Sequence, residues 1–408
     1  MCPRVGCALY RLRLGGTKMN NNKKTLTTLS LILVMALVVV CFSACGGNKE
    51  KNGDVYKIGG IGPTTGPTAI YGSAAMQGAQ IAVDEINSAG GINGKKIQFK
   101  FEDDVNDPEK SINAYNTLKD WGMIALMGTV TSQPCVAVSA QTAGDRLFQV
   151  TPSASTPDVV KAGDNTLQVC FTDPNQGVAA ARYMKKNNIG KKIAVIYDSS
   201  DVYSSGIEKA FVKEAEKIGL NVVSKSAFTA DTNTDFSTQL KKAQSAGADL
   251  VFLPFYYTEA SKVLQQSDSM GYKPTFFGCD GLDGLLGVNG FDKKLAEGVL
   301  LLTPFAADAE DDATVKFVKA YKEKYGEVPN QFAADGYDAI YTIKAAIEKA
   351  EVTPDMKPSD ACEKILAVIP SLKLDGLTGS AMKWDKDGQV SKDPRVFKIS
   401  NGGYVAAV

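Results

Sequence analysis

The 408-residue chain has no histidine, and that absence removes several classes of function. Without imidazole, a Ser-His-Asp triad, a zinc site of mixed histidine and cysteine, and histidine-based acid–base catalysis are all disfavoured. Cysteine is scarce after the first 50 residues, where it occurs at Cys135, Cys170, Cys279 and Cys362. These positions lie far apart with no C-x-x-C spacing, so we expect buried free thiols and neither a metal nor another cofactor.

The chain has no net charge, because 45 lysines and arginines balance 45 aspartates and glutamates. Residues 1–44 hold six basic side chains and no acidic one, so the remainder carries 39 basic and 45 acidic residues. The net charge of that remainder is therefore −6. An acidic protein without a basic stripe is a poor binder of nucleic acid, and none is expected as a partner.

The longest hydrophobic run lies near the N-terminus. Residues 20–24 end in two lysines, residues 26–42 are almost all Leu, Val, Ile, Ala and Met, and small residues follow at 43–47. This order is typical of a secretory signal. The run also approaches the length of a membrane span, so an uncleaved anchor is the alternative. A start at Met19 gives a signal of ordinary length, and residues 1–18 would then be a gene-start artefact. The alternative is that residues 1–18 belong to a longer, basic n-region of the signal.

The sequence Phe42-Ser43-Ala44-Cys45 resembles a bacterial lipobox, with phenylalanine where leucine is commoner. The resemblance implies that residues 1–44 are a signal peptide and that Cys45 takes a diacylglyceryl group. Each buried CH₂ of a lipid chain contributes about 0.8 kcal/mol, so two chains hold a protein on a membrane without a spanning helix. We expect an exported lipoprotein on the outer face of the cell membrane, with residues 45–54 as a polar tether. That location would also permit disulfides.

The length and the secondary-structure pattern predict two α/β domains. About 364 residues follow the signal, which is more than one ordinary core accommodates. Strand-like runs alternate with helical runs between residues 55 and 134 and again between 192 and 277. Such alternation predicts two doubly wound parallel sheets with helices on both faces. The helical stretches 314–325 and 331–350 come later, and they fit best if the chain returns to complete the first domain.

A glycine-rich segment follows the first predicted strand. Its sequence, Gly-Gly-Ile-Gly-Pro-Thr-Thr-Gly at 59–66, invites interpretation as a dinucleotide-binding turn. The spacing is wrong for that motif, because three residues separate Gly62 from Gly66 and Pro63 interrupts the turn. A dinucleotide is therefore not expected, and the segment is a ligand-facing loop or an ordinary turn.

Small hydroxyl residues are concentrated after two predicted strands. They occur in Gly-Thr-Val-Thr-Ser at 128–132 and in Thr-Pro-Ser-Ala-Ser-Thr-Pro at 151–157. In open α/β sheets, ligands bind beyond the carboxyl ends of strands, where helix N-termini offer free N–H groups. The two segments therefore predict a cradle for a carboxylate. The alternative is that their hydroxyls only cap helices.

An acidic residue and several tyrosines follow other predicted strands. Asp280 comes just after the strand at 275–277, and Tyr203, Tyr256 and Tyr257 also follow strands. A carboxylate at this sheet edge would pair with an ammonium group, and aromatic rings would wall the pocket. Taken singly, an aspartate in this position is more often a turn residue, and a lone tyrosine usually serves packing.

A series of short motifs resembles a known family in number, order and spacing. The motifs are Thr65-Gly66-Pro67, Tyr71-Gly72, Gly78-Ala79, Ile86-Asn87, Gly90-Gly91-Ile92-Asn93-Gly94, Asp103-Asp104, Asp107-Pro108, the segment 151–157, Asp235-Phe236 and Asp335-Gly336-Tyr337-Asp338-Ala339. Over roughly residues 55–400 they resemble the bacterial leucine/isoleucine/valine-binding proteins, which are type I periplasmic binding proteins of ABC importers.

The resemblance implies two lobes joined by three crossovers, with ligand bound in the cleft between them. Lobe 1 is then residues 55–172 plus 305–376, and lobe 2 is residues 173–304 plus 377–408. The crossovers fall near Thr172-Asp173, Pro304 and Gly376. This arrangement accounts for the late helices, which belong to the first lobe.

The resemblance also implies a set of ligand-binding residues. The family's carboxylate-binding positions match Ser132, Ser153, Ala154 and Ser155, and its cleft aromatics match Tyr71, Tyr203 and Tyr256. Its acidic partner for the ammonium matches Asp280, where branched-chain binders often carry glutamate. The sequence Tyr203-Ser204-Ser205-Gly206 departs from the usual Tyr-Gly at that place.

The implied function is capture of an amino acid, by default a branched-chain one, and its delivery to the membrane permease of an ABC importer. The protein is then a monomeric binding protein and not an enzyme. Another small solute (an amide, urea or an aromatic acid) or a sensory module that signals to a membrane receptor remain alternatives. An amidase or dehydrogenase is the third hypothesis, which the absent histidines and the wrong glycine spacing disfavour.

Overall fold

The computed structural model describes residues 55–407, which form two sheets whose parallel strands follow the same order. The predicted signal peptide, Cys45 and the tether lie outside the described residues. Between residues 55 and 407, no helix combines the length and the apolar character needed to cross a membrane.

Lobe 1 contains a five-stranded parallel sheet in the order β2-β1-β3-β4-β5. Its strands are β1 (Val55–Gly62), β2 (Lys96–Asp103), β3 (Ala125–Met127), β4 (Phe148–Thr151) and β5 (Thr166–Gln168). Its helices, numbered in chain order, are α1 (Ala69–Ser88), α2 (Pro108–Trp121), α3 (Ser132–Asp145), α8 (Asp312–Tyr325), α9 (Gln331–Lys349) and α10 (Pro358–Val368). The last three of these helices come late in the chain and pack against the helices and strands that form the first part of the lobe.

Lobe 2 contains a seven-stranded sheet in the order β12-β11-β10-β9-β8-β6-β7. Its strands are β6 (Ile193–Asp198), β7 (Val222–Phe228), β8 (Leu250–Leu253), β9 (Thr275–Gly278), β10 (Leu300–Thr303), β11 (Arg395–Ser400) and β12 (Gly403–Ala406). Its helices are α4 (Asp173–Lys186), α5 (Val202–Ile218), α6 (Ser237–Ser245) and α7 (Tyr257–Ser269). Strands β6 to β10 are parallel, and the alternation predicted β6 to β9. It predicted neither β10 nor the antiparallel edge that β11 and β12 add.

Gly78 and Gly336 bring α1 and α9 into close contact. A Cβ atom on Gly78 would lie 1.8 Å from the carbonyl oxygen of Ala333, and one on Gly336 would lie 2.2 Å from that of Ala75. These distances leave no room for any side chain, so the two helices pack backbone against backbone. The contact fixes the late helix α9 to α1, which carries Tyr71 in its first turn.

Candidate functional site

The residues predicted to bind ligand gather where the strand order reverses in each sheet. In lobe 1 the reversal lies between β1 and β3, whose carboxyl ends lead to Tyr71 and Ser132. In lobe 2 it lies between β6 and β8, whose carboxyl ends lead to Tyr203 and Tyr256. The crevice at such a switch point is where open α/β sheets bind ligands. The two crevices face each other across the cleft.

A small cavity, which we call the cleft cavity, lies between these four residues. It is lined by Tyr71, Val130, Thr131, Ser132, Ser153, Tyr203, Tyr256, Asp280, Gly281 and Phe332. Its free space is about 10 Å³, which is room for about one water molecule. The lobes must therefore part before a molecule the size of an amino acid can enter.

The lobe 1 side of the cleft cavity carries hydroxyl groups and no charged side chain. The Ser132 Oγ accepts hydrogen bonds from the backbone N–H groups of Ser155 and Thr156, at 3.2 and 3.3 Å. Its own hydrogen remains available to donate. Ser132 is also the first residue of α3, so the positive end of the helix dipole adds to the same side. This side suits a carboxylate.

The lobe 2 side carries a buried carboxylate held by a tyrosine. The Tyr203 hydroxyl donates to Oδ1 of Asp280 at 2.6 Å and accepts from the backbone N–H of Gly281 at 2.9 Å. Burial raises the pKa of Asp280 to about 6. Beside it, burial raises the pKa of Asp201 to about 7, with the Tyr256 hydroxyl next to that carboxylate. This side suits a cation.

Aromatic rings form the remaining wall of the cleft cavity. Tyr203 and Tyr256 stack, with ring centroids 5.0 Å apart and an interplanar angle of 14°. Tyr71 meets Tyr256 edge-on at 5.4 Å and Phe332 at 4.5 Å. The rings come from both lobes, so the apolar wall is complete only when the lobes are together.

Hydrogen bonds between the N-terminal ends of α1 and α7 join the two lobes beside the cavity. The Tyr71 hydroxyl donates to the Gly281 carbonyl and accepts from the Tyr257 N–H. In return, the Tyr257 hydroxyl accepts from the Ile70 N–H at 3.2 Å. The Thr258 hydroxyl donates to the Pro67 carbonyl at 2.7 Å. These bonds exist only in the closed arrangement, so they favour it.

Tyr257→Phe should weaken ligand binding about 2- to 10-fold. The change removes the hydroxyl that accepts from the Ile70 N–H across the lobes, and a typical hydrogen bond contributes about 0.5–1.5 kcal/mol. Tyr257 does not line the cleft cavity, so the variant would weaken ligand binding by destabilising the closed arrangement of the lobes. Titration calorimetry measures it. Tyr272→Phe is the matched control, because the Tyr272 hydroxyl bonds to Ala248 within lobe 2. Equal affinities for both variants would contradict the effect.

Six of the eight predicted ligand-binding residues line the cleft cavity, and two lie behind it. Ala154 is buried against Cys135 and Val159, and Ser155 is fully buried. Val130, Thr131, Gly281 and Phe332 also line the cavity, although none of them was predicted individually to bind ligand. Val130 and Thr131 lie in the segment 128–132, whose concentration of hydroxyl residues did predict a binding surface. Phe332 stands at the start of a predicted helix without a distinguishing pattern.

A larger groove of about 870 Å³ lies beside the cleft, between α1, α8 and residues 283–287 and 402–405. None of the predicted ligand-binding residues lines it. We assign the candidate site to the smaller cavity because that is where a neutral donor side opposes a carboxylate side. Within residues 55–407, no group of three or more Cys, Asp and Glu side chains could hold a metal ion. The four cysteines in that range are buried free thiols.

Comparisons with known proteins agree with the fold. A Leu/Ile/Val-binding protein homolog of Brucella melitensis is 32% identical over 366 residues, covering 86% of this chain and 97% of the relative. A leucine-binding protein from Thermotoga maritima is 27% identical with a TM-score of 0.77, covering 86% and 98% of the two chains. The isoleucine complex of a branched-chain amino acid binding protein from Streptococcus pneumoniae is 28% identical with a TM-score of 0.78 and the same coverage.

The relatives are solute-binding proteins and not enzymes, and their family works outside the cytoplasm. They confirm two predictions made from the sequence, the family resemblance and the two-lobed α/β fold. The family described as periplasmic binding protein matches residues 55–404, which is nearly the whole described range. The chain belongs to the periplasmic binding protein family.

Proposed function

We propose that this protein captures an amino acid, with a branched aliphatic side chain as the default, and delivers it to the permease of an ABC importer. The observation that carries the proposal is the opposition of charge types across the cleft cavity. Neutral donors and a helix N-terminus in lobe 1 face the Asp280 carboxylate in lobe 2. A zwitterion satisfies both sides, and the aromatic wall suits an apolar side chain.

Capture proceeds by closure of the two lobes. The ligand carboxylate binds first to the hydroxyl and amide donors around Ser132, because lobe 1 can make these bonds while open. Asp280 and Tyr203 reach the ammonium only after closure. Ligand therefore shifts the hinge equilibrium towards the closed form, and the permease distinguishes loaded from empty protein by that form.

We further propose that lipid on Cys45 anchors the mature protein to the membrane. The support is the apolar run at 26–42 followed by Phe42-Ser43-Ala44-Cys45. The full chain, expressed in a bacterial cell, should label with radioactive palmitate and sediment with membranes. Cys45→Ala protein that labels and sediments like the wild type would disprove the anchor and leave ligand capture untouched.

Thermal-shift screening of residues 45–408 tests the proposed ligand class. A ligand present at 100 times its Kd stabilises the folded state by about 2.7 kcal/mol. Leucine, isoleucine and valine should raise the Tm most, with smaller shifts for other aliphatic amino acids. Stabilisation by urea, amides or aromatic acids without any shift by amino acids would overturn the assignment.

Affinity for the amino acid should fall about tenfold between pH 7.5 and pH 5. Burial raises the pKa of Asp280 to about 6, and only the ionised carboxylate pairs with the ammonium. Below pH 6, binding must release the proton, so each pH unit costs about 1.4 kcal/mol. Above pH 7 the affinity should be flat. Calorimetry across this range measures the profile, and Asp280→Asn should abolish most of its slope. An equally steep slope in that variant would assign the titration to another group.

A further inference from the structure

Residues 280–283 of lobe 2, which we call the anchor loop, are held from both lobes. Within lobe 2, the Asp280 N–H donates to Oε1 of Gln176 at 3.1 Å, and the Tyr203 hydroxyl donates to Oδ1 of Asp280 at 2.6 Å. From lobe 1, Nε2 of Gln331 donates to the Asp280 carbonyl at 3.0 Å. The bonds within lobe 2 do not depend on closure, whereas the bond to Gln331 exists only when the lobes are together.

The same residue of lobe 1 also binds the other end of the anchor loop. Gln331 is the first residue of α9, and its backbone N–H donates to Oδ2 of Asp283 at 3.0 Å. The first N–H groups of a helix have no partners within the helix and lie at its positive end, so a carboxylate is favourable there. Gln331 therefore holds the loop at Asp280 through its side chain and at Asp283 through its backbone.

Gln331 itself does not line the cleft cavity. Gln331 and Asp283 line the larger groove, whereas Asp280 and Phe332, the next residue of α9, line the cleft cavity. The anchor loop and the first turn of α9 therefore form a wall between the two spaces. Gln331, Asp280 and Asp283 are 2%, 5% and 3% exposed, so water competes little for their hydrogen bonds in the closed arrangement.

We propose that Gln331 is a positioning residue, which fixes the anchor loop from lobe 1 and so holds the Asp280 carboxylate in place for the ligand ammonium. The inference rests on the proposed function and deepens it, because it names the group that couples closure to recognition of the ammonium. In the open form the loop keeps only its contacts within lobe 2. Closure adds two bonds to the loop as Asp280 meets the ligand.

Gln331→Met removes the side-chain donor and keeps both the backbone N–H and a side chain of similar length. Calorimetry on the mature protein should show leucine binding about 3- to 15-fold more weakly, because one buried hydrogen bond is lost. The Asp280 carbonyl keeps a second donor, the Asp283 N–H at 2.9 Å, so no buried acceptor is left without a partner. This measurement needs a second one, because a simple clasp between the lobes would also lose affinity.

A double-mutant cycle with Asp280→Asn separates positioning from clasping. Asp280→Asn removes the charge that pairs with the ammonium, so adding Gln331→Met should weaken binding further by less than about twofold. The Tyr257 hydroxyl bonds to the Ile70 N–H independently of the anchor loop, so Tyr257→Phe should cost the same factor in both backgrounds. A loss for Gln331→Met that is equally large in both backgrounds would overturn the positioning role.

Thr342→Val is the matched control, because it also removes one buried donor from α9. The Thr342 hydroxyl donates to the Asp338 carbonyl in the same helix at 2.8 Å, so it makes no bond across the cleft. Its affinity for leucine should equal that of the wild type. If Gln331→Met does not fold, Asp283→Ala removes the other bond to the loop and should show the same dependence on the Asp280 carboxylate.

Three outcomes would contradict the inference. A loss in Thr342→Val as large as that in Gln331→Met would overturn it, because any bond lost from α9 would then have that effect. Wild-type affinity in both Gln331→Met and Asp283→Ala would overturn it and leave the proposed function intact. Wild-type protein that binds neither leucine nor any other amino acid in the thermal screen would remove both.

Discussion

Asp280→Ala should weaken amino-acid binding by about 2–5 kcal/mol, a loss of roughly thirtyfold to several thousandfold in affinity. Asp280 is 5% exposed, and Oδ1 already accepts from Tyr203. Without the carboxylate, closure would strand the ligand ammonium against aromatic rings and remove the charge-assisted bond that makes closure favourable. The loss should appear as faster dissociation, because the open lobe still collects the ligand carboxylate.

The stability of the unliganded protein separates this role from a structural one. The folded-state pKa of Asp280, about 6, lies above the ordinary value of 3.8. Its contribution to stability is therefore present at low pH and is lost as the pH rises through about 6. At pH 7.5 the isosteric Asp280→Asn should melt no lower than the wild type. A large drop in Tm together with unchanged affinity would make Asp280 a structural residue.

Asp268→Ala provides the control for charge alone. Asp268 is half exposed on α7 and pairs with Lys273 at 3.5 Å, away from the cleft cavity. Its removal changes the net charge by the same amount as Asp280→Ala, but an exposed pair of this kind contributes little. Calorimetry should give the wild-type affinity for that variant. An affinity loss shared by both variants would mean that long-range charge, and not the pairing with ammonium, sets the binding.

The edge of each sheet that carries the site was predictable, because a parallel topology fixes the edge at which the strands end. Once strands are joined by helices, all their carboxyl ends meet at one edge, so residues after strands converge. Ser132, Tyr203, Tyr256 and Asp280 were found by that rule. Tyr71 was implied only by the family resemblance, because a loop separates β1 from the first turn of α1, where Tyr71 lies. Thr68 occupies the N-cap position of that helix but makes no side-chain capping hydrogen bond.

Pairings between distant segments could not be predicted in the same way. The bond between Tyr203 and Asp280 joins residues 77 positions apart, and no periodicity encodes it. Strand β5 was not predicted, because a run of three residues, all buried, gives no alternating pattern.

A buried lysine in the segment between α10 and β11 carries the largest expected effect on stability. Lys392 follows the segment 374–390, and its side chain is 3% exposed. Its Nζ donates to the Val169 carbonyl at 2.9 Å, to the Thr378 hydroxyl at 2.6 Å and to Oδ1 of Asp335 at 3.3 Å. Three parts of the chain therefore meet at one ammonium group: the residue after β5, helix α9 and the segment between α10 and β11.

Lys392→Met should lower the free energy of unfolding by about 3–5 kcal/mol at pH 8, because it leaves Asp335 buried without its cation. Denaturant unfolding of the mature protein measures the loss. Lys319→Met is the control, since Lys319 is 74% exposed and its contact with Glu323 spans 3.9 Å. That change should cost less than about 1 kcal/mol. Similar losses in the two variants would show that the buried cluster contributes no more than a surface pair.

The pH dependence of that loss identifies its cause. Burial raises the pKa of Asp335, and Lys392 is the group that lowers it again, so the pKa rises further in Lys392→Met. A folded-state pKa above the unfolded value stabilises the protein at low pH, and that contribution disappears as the pH rises through the folded-state pKa. The variant should therefore be closest to the wild type at pH 5 and furthest from it at pH 8.

Adding Asp335→Asn to Lys392→Met removes the stranded charge, so the double variant should recover part of the loss at pH 8. A deficit that is the same at every pH and in the double variant would mean that lost packing of the lysine stem, and not an unpaired carboxylate, causes the instability.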